Sequence, residues 1–479
     1  MQLVTGEFVL ISILLFLFTR LKTHLLKSEQ LLRGLRVFQP PSDSELKKYD
    51  KEPHKFAISY LTLEDKTSVK SLFFTETDFL VLMSQVAIVL CVLSSVLRLY
   101  LDFEQTLSFY MCLLVMFLCV TGLYQQFMRS KLLSPDNGIA LIFTLLIFSL
   151  SAMCLLTEFS TVLDFNFHAS VRLFELQMTY ALKHAWQEAA FSCHFTAFVC
   201  VLSAILAIVL LPIFNYLLRG TLTYFAGGLD VTESKRVSLL VLISPVLCIP
   251  LWIKPMTKDL LVPTSLTELQ FEYFRISIIT AVAFTRLLQM RTQIQHFLNQ
   301  SVSIAYSMFA APNKETQQHG RMQVTAINNS AWARLHQHLS VVLLGLFLAA
   351  LLLKKGCVPS VSIAPVSSSS MLLEELDEEE FAGSPTFTPP IRPASIQSPR
   401  YVEELELQAK IDTLQMKSKD EGVLASIVEI NKVGFVPAQL YHDLLNFMLF
   451  WYHVHWALAT AFAVLYSRRF GSSLKIKQV

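Results

Sequence analysis

The sequence predicts an all-α fold: a polytopic transmembrane helical bundle of about nine spans, with an interfacial amphipathic helix and a disordered linker before the last span. Three observations predict it. Of 479 residues, 53% are hydrophobic and only 16% are charged, with 36 Phe against 14 Gly, and the mean hydropathy is +0.49. A soluble domain carries roughly 45–50% apolar and about 25% charged residues. The apolar residues also gather into long, unalternating runs close to what a helix needs to cross a bilayer core, about 20 residues for about 30 Å. Only helices and closed barrels satisfy their backbone in lipid, and runs without alternation are helices.

In chain order the runs are Leu3–Thr19, Phe79–Leu97, Leu107–Tyr124, Gly138–Leu156, Cys193–Leu218, Val237–Ile253, Tyr273–Met290, Leu339–Leu353 and Leu444–Tyr466. The first lacks a basic n-region and a small-x-small cleavage site, so it reads as an uncleaved anchor. The sixth carries Pro245 and Pro250, and the eighth is short enough to borrow residues from His336 onward. The chain is thereby divided into 1–19 (first anchor), 20–78 (polar basic loop), 79–156 (three helices), 157–192 (amphipathic loop helix) and 193–353 (four helices with a basic loop at 291–338). A Ser-, acid- and Pro-rich linker at 354–421 follows. After it come 422–466 (amphipathic lead and last helix) and a basic tail, 467–479.

Phe167, Val171, Phe174, Met178, Leu182 and Trp186 recur at helical spacing in a segment too polar to cross the membrane. Such a helix lies in the interface plane or packs on the bundle outside it. The linker holds the Ser367–Ser370 run, acids from Glu374 to Glu380 and Pro389-Pro390. It has too little apolar area to offset the entropy of ordering.

Lys and Arg set orientation. The loops 20–78, 125–137, 219–236, 291–338 and 467–479 hold 24 of them, against 5 in 98–106, 157–192 and 254–272. With nine spans, the N-terminus is outside and the C-terminus in the cytosol. Two glycosylation sequons, at Asn299 and Asn328, fall in a loop that this tally makes cytosolic, and the charge count outranks them. The net charge of +2 offers nucleic acid nothing.

Ionisable groups at membrane depth are costly and therefore candidates for function. Glu7 in the first run and Arg286 in the seventh qualify, each able to snorkel to its nearer interface. Asp443, His453 and His455 lie in or beside the last run among Trp451, Tyr452 and Trp456, a pattern that suits an aromatic belt. Neither His453/His455 nor His336/His338 suits a metal, because residues two apart on a helix point to different sides. The eight cysteines include no C-x-x-C pair and read as small hydrophobes in apolar runs. No phosphate-binding, dinucleotide-binding, zinc-protease or serine-hydrolase motif occurs. No catalytic, metal or cofactor residue is therefore nominated.

The most distinctive string closes the sixth run: Trp252-Ile253-Lys254-Pro255, then Asp259-Leu260. Pro255 stops the helix, Trp252 anchors the interface, and Lys254 and Asp259 sit at headgroup level. This string resembles the W-x-K-P-x-x-x-D pattern of the transmembrane protein 161 family. Phe38-Gln39-Pro40-Pro41-Ser42-Asp43-Ser44-Glu45-Leu46 resembles that family's P-S-x-x-E-L segment. The order of spans, the mid-chain Pro212 and the Trp-rich last span ending Leu465-Tyr466 are similar too. The Ser- and acid-rich linker at 356–420 departs from the family. The resemblance implies a multi-pass membrane protein without assigned enzymatic activity, linked to normal heart rhythm through ion currents and to oxidative-stress responses. It carries over no site residue. The expectation is an integral protein of the plasma membrane or an endomembrane, with the bilayer and ion channels or other membrane proteins as partners. The rival expectations are a transporter or channel using Glu7, Arg286 and the Pro-broken sixth run, and an intramembrane enzyme.

Overall fold

A computed structural model describes residues 12, 16, 20, 28–42, 44–45, 59–62, 74–100, 106–129, 135–157, 162–185, 191–226, 243–257, 259, 267–309, 314–356 and 437–476. Glu7, most of the first run, the 357–421 linker and Trp186 lie outside these residues. In chain order the elements are α1 (Ser28–Leu32), β1 (Arg36–Phe38), β2 (Tyr60–Thr62), α2 (Phe74–Tyr100), α3 (Thr106–Arg129) and α4 (Pro135–Leu156). Then come α5 (Phe167–Ala185) and α6 (Phe195–Ala226), followed by α7 (Ile243–Trp252), which ends in a 3-10 turn. The last three are α8 (Glu268–Phe309), α9 (Lys314–Leu351) and α10 (Ala438–Ile476).

The chain is an all-helical membrane bundle, but the helix count differs from the nine expected. Among the described residues, six helices are long and apolar enough to cross a bilayer: α2, α3, α4, α6, α9 and α10. The run Val237–Ile253 contributes only the short helix Ile243–Trp252. Tyr273–Met290 lies in α8, whose apolar stretch is diluted by Glu272, Arg275, Arg286 and Gln289. Those side chains are tolerated because they are buried and face protein rather than lipid.

The loop expected at 291–338 is mostly helix. α8 has 42 residues and α9 has 38, so they are roughly 63 and 57 Å long at 1.5 Å per residue. The short run Leu339–Leu353 is the apolar end of α9. Polar residues misled the sequence reading here, because two long helices can continue past the oil by packing on each other. Ala305, Met308 and Val324 form a small core in that outer part.

The β-hairpin, unforeseen in the sequence, rests on this helical pair. β1 and β2 are antiparallel, with Val37 opposite Leu61. Gln295 of α8 completes the free edge of β1: its Oε1 accepts from Arg36 N–H at 2.8 Å, and its Nε2 donates to Arg36 C=O at 3.1 Å. Asn328 Nδ2 of α9 donates to Phe38 C=O at 2.8 Å. The two loops grouped on one side by the charge tally thus share one end of the bundle. Just beyond β1, Ser42 and Glu45 make a capping box. Ser42 N–H and Oγ donate to Glu45 Oε2 at 2.7 and 2.9 Å, and Glu45 N–H donates to Ser42 Oγ at 3.4 Å.

Within the oil, backbone groups freed by irregularity find partners among side chains. Pro212 lies inside α6 and has no N–H to give the Ile208 carbonyl four residues earlier. Tyr124 of α3 supplies that bond, Oη donating to Ile208 C=O at 2.5 Å. Gly122 permits α3 and α9 to close up: a Cβ there would come within 2.2 Å of His336 Nε2. A Cβ on Gly345 would meet the Tyr452 ring at 3.0 Å.

Two compact units make up the chain, one of Met1–Asp164, Cys200–Lys354 and Leu445–Val479, the other of Phe165–Val199 and Lys355–Leu444. In the second, Phe165, Phe167, Val171 and Leu173 are buried. There Ser170 Oγ donates to Asp443 Oδ2, so Asp443 is an internal acceptor, not a belt residue. The helical spacing read from Phe167 holds over Phe167–Ala185 as α5.

Tyr124→Phe strands the Ile208 carbonyl and is expected to cost about 1–2 kcal/mol. In a Pro212→Ala background, where the backbone N–H returns, the same change is expected to be close to neutral; thermal unfolding in detergent of the four proteins measures both. The two Ser42 hydrogen bonds, backbone first, hold the Glu45 carboxyl below its ordinary value of 4.5. Its contribution is therefore complete above that value and is lost as pH falls through the lowered one. The Ser42 amide resonance, followed on acidification, is expected to move only below pH 4.5.

Candidate functional site

Two guanidinium groups sealed inside the first unit organise the bundle's polar interior. Arg275, near the start of α8, is 0% exposed. Its Nη2 donates to Asp164 Oδ2 at 2.5 Å, and its Nη1 lies 3.3 Å from Glu272 and donates to Asn446 Oδ1 of α10 at 2.9 Å. That amide oxygen also accepts from Trp252 Nε1 at 3.1 Å. The guanidinium stands over the Trp252 and Phe271 rings, 5.6 and 4.9 Å from their centroids. One cation is thus clamped by two carboxylates, an amide and two aromatic faces contributed by four chain segments.

Backbone pairing holds this clamp. Residues 162–164 run antiparallel to 252–254: Asp164 N–H donates to Trp252 C=O at 2.9 Å and Lys254 N–H to Val162 C=O at 2.8 Å, with Leu163 opposite Ile253. Two non-helical stretches thereby satisfy each other, a requirement wherever water is scarce. Trp252 is fully buried and so stands inside the bundle instead of anchoring the interface. Pro255 and Asp259 are exposed, and Lys254 is half-buried with its backbone in the pairing.

Arg286 lies eleven residues further along α8, roughly 16 Å deeper at helical rise. It is 2% exposed and does not snorkel. Nη2 donates to Ser244 Oγ of α7 at 3.3 Å, and the guanidinium sits on the Trp456 ring, 3.1 Å from the centroid. Among the described residues no carboxylate pairs with it. Below it His338 Nε2 meets the Arg286 carbonyl at 3.1 Å, while its Nδ1 meets Tyr216 Oη at 2.5 Å. A carbonyl only accepts, so His338 carries its proton on Nε2 and takes the Tyr216 hydroxyl proton as acceptor. Tyr452 Oη donates to Val341 C=O at 2.8 Å. A cavity of about 10 Å³ lies against Arg286, Gly345, Tyr452 and His453, room for about one water.

The histidine pairs diverge as their spacing requires. His336 Nδ1 meets Thr77 Oγ1 at 3.3 Å, whereas His338 meets α6 and α8. His453 Nδ1 donates to Leu449 C=O at 2.8 Å beside Trp252, whereas His455 stands edge-on to Phe143 and Phe214. Both are buried with Trp451, Tyr452 and Trp456, so these aromatics pack the interior and are not a belt. Among the described residues no group of three or more His, Cys, Asp or Glu is placed to hold a metal ion. Asn299 and Asn328 sit in helices α8 and α9. Asn299 Oδ1 accepts from Gln295 at 2.9 Å, and Asn328 is occupied by β1.

Sequence reasoning located Arg286 but missed Asp164, Glu272, Arg275 and Asn446. Asp164 stood in a loop, and Arg275 and Glu272 stood at a run's edge, where charge is ordinary. Asn446 inside the last apolar run was the available signal. Asp164→Asn is expected to lower stability by about 3 kcal/mol, since removing one partner leaves a buried charge short of compensation. Replacing Asp164, Glu272 and Arg275 together by Leu, Leu and Met is expected to recover most of that loss. Thermal unfolding in detergent tests both.

The family model described as "Predicted transmembrane protein 161AB" matches residues 55–471 of this chain. No curated protein and no solved structure gives a match. The chain belongs to the transmembrane protein 161 family.

Proposed function

We propose, from this family membership, that the protein has no enzymatic activity and modulates ion currents or stress responses through membrane partners such as ion channels, in the plasma membrane or an endomembrane. The observation that supports this reading is the α8–α9 hairpin. Helices of roughly 63 and 57 Å exceed a bilayer core of about 30 Å, so about half of their length stands outside the oil as a rigid arm. That arm carries the β-hairpin and exposes Tyr306 and Met322, large apolar groups that a partner protein can cover. The interior polar groups, by contrast, bind one another and hold helices together, a structural duty that leaves recognition to the exterior.

A second reading, transport, draws on Arg286 and the cavity beside it. That space admits about one water, far below the 300–1,000 Å³ that organic ligands occupy, so it favours small ions over metabolites. Glu7, the other residue nominated for such a path, lies outside the described residues.

Whole-cell recordings with and without the protein, paired with flux measurements on purified protein in liposomes, separate the two. The modulator reading expects cell currents to depend on the protein, Tyr306→Ser/Met322→Ser to abolish that dependence, and liposomes to stay tight. Liposome flux that Arg286→Gln removes would overturn it in favour of transport.

A further inference from the structure

Cys91 of α2 and Cys112 of α3 bring their sulfurs to 3.3 Å, although the helices share no C-x-x-C spacing. A disulfide needs about 2.0 Å between sulfurs, so the gap to close is small beside the freedom of two χ1 rotations. One turn along each helix, Ser94 and Ser108 face each other at 3.3 Å. Between them lies Lys354, buried, its Nζ donating to Ser94 Oγ at 3.0 Å and to Ser108 Oγ. Among the described residues this ammonium has no carboxylate partner. The Lys354 ammonium thus lies about one helical turn from both sulfurs.

The surroundings suit reversible oxidation. Cys91 is half-buried while Cys112 is sealed, so an oxidant meets the first sulfur and the second is in place to resolve it. Both lie at the end of the bundle where residues 98–106 connect α2 to α3. The charge tally puts that end away from the cytosol, where disulfides persist. Cys119, two turns further along α3, is buried and paired with no other sulfur among the described residues.

We propose that Cys91 and Cys112 are a redox modification site: a dithiol that closes to a disulfide stapling α2 to α3. With a hydroperoxide as oxidant, the Cys91 thiolate attacks one peroxide oxygen. The O–O bond breaks and, for hydrogen peroxide, one water leaves after protonation. Cys112 then attacks the resulting sulfenic sulfur, forming the S–S bond and expelling the second water. Two thiols and one peroxide become one disulfide and two waters, the sulfurs oxidised and the peroxide oxygens reduced. The site is independent of how the protein acts on currents, because thiol chemistry alone reads it.

The test uses the full-length protein in nanodiscs, treated with hydrogen peroxide, then denatured so that buried thiols become accessible, alkylated with maleimide and digested for mass spectrometry. Cys91 and Cys112 are expected to lose labelling together and to yield a cross-linked species lighter than the two free-thiol peptides by two hydrogens. Dithiothreitol is expected to restore labelling, while Cys119 gives no cross-linked species. Cys112→Ser is expected to abolish the cross-linked species. Because the wild-type mass measurement needs no variant, misfolding of the mutant leaves the test intact. Full labelling of both cysteines after peroxide, or their separate oxidation to sulfinic or sulfonic acid without a cross-link, would overturn the proposal.

Discussion

A guanidinium with no access to solvent, in a bundle surrounded by hydrocarbon, must find its anions and acceptors within the protein. Arg275 does so by drawing Asp164, Glu272, Asn446 and the faces of Trp252 and Phe271 around one charge. These residues come from the 162–164 stretch, the end of α7, α8 and α10, so one cation fixes the relative positions of four segments. Breaking such a pair on one side is costly, whereas an apolar replacement of the whole group is not. The clamp's contribution therefore lies in specifying which segments meet, more than in net stability.

The same requirement operates wherever the helices are irregular. Pro212 removes a donor, and Tyr124 from the neighbouring helix takes up the orphaned carbonyl. The non-helical stretches at 162–164 and 252–254 pair with each other. Gly122 and Gly345 let helices approach until His336 and Tyr452 touch backbone, although no G-x-x-x-G motif is present. Lipid offers no competing hydrogen bond, so each local departure from the helix needs a side chain at a defined place.

Outside the oil the constraint relaxes and polar residues become affordable. The outer halves of α8 and α9 pack a small apolar cluster of Ala305, Met308 and Val324, and Gln295 and Asn328 place their amides on a β-strand edge. Membership in the transmembrane protein 161 family over residues 55–471 covers both regions, bundle and arm. Arg286 stands apart from this economy of pairing. It is buried against Trp456, donates Nη2 to Ser244 Oγ and, among the described residues, pairs with no carboxylate, which is what keeps a transport reading alive.

By itself the sequence determined that this chain is helical and lives in lipid, where most of the apolar helices run, that 167–185 is an amphipathic helix, and that Arg286 is unusual. Those properties are carried by composition and by periodicity along one strand of chain. Only the tertiary structure decided that 291–338 is a helical arm, that Trp252, His453 and His455 are internal, and that Arg275 sits between Asp164 and Asn446. The partners of Arg275 are 111 and 171 residues away in sequence. No local pattern reports that separation, and a charged residue at the edge of an apolar run looks the same whether it ends in water or in a clamp.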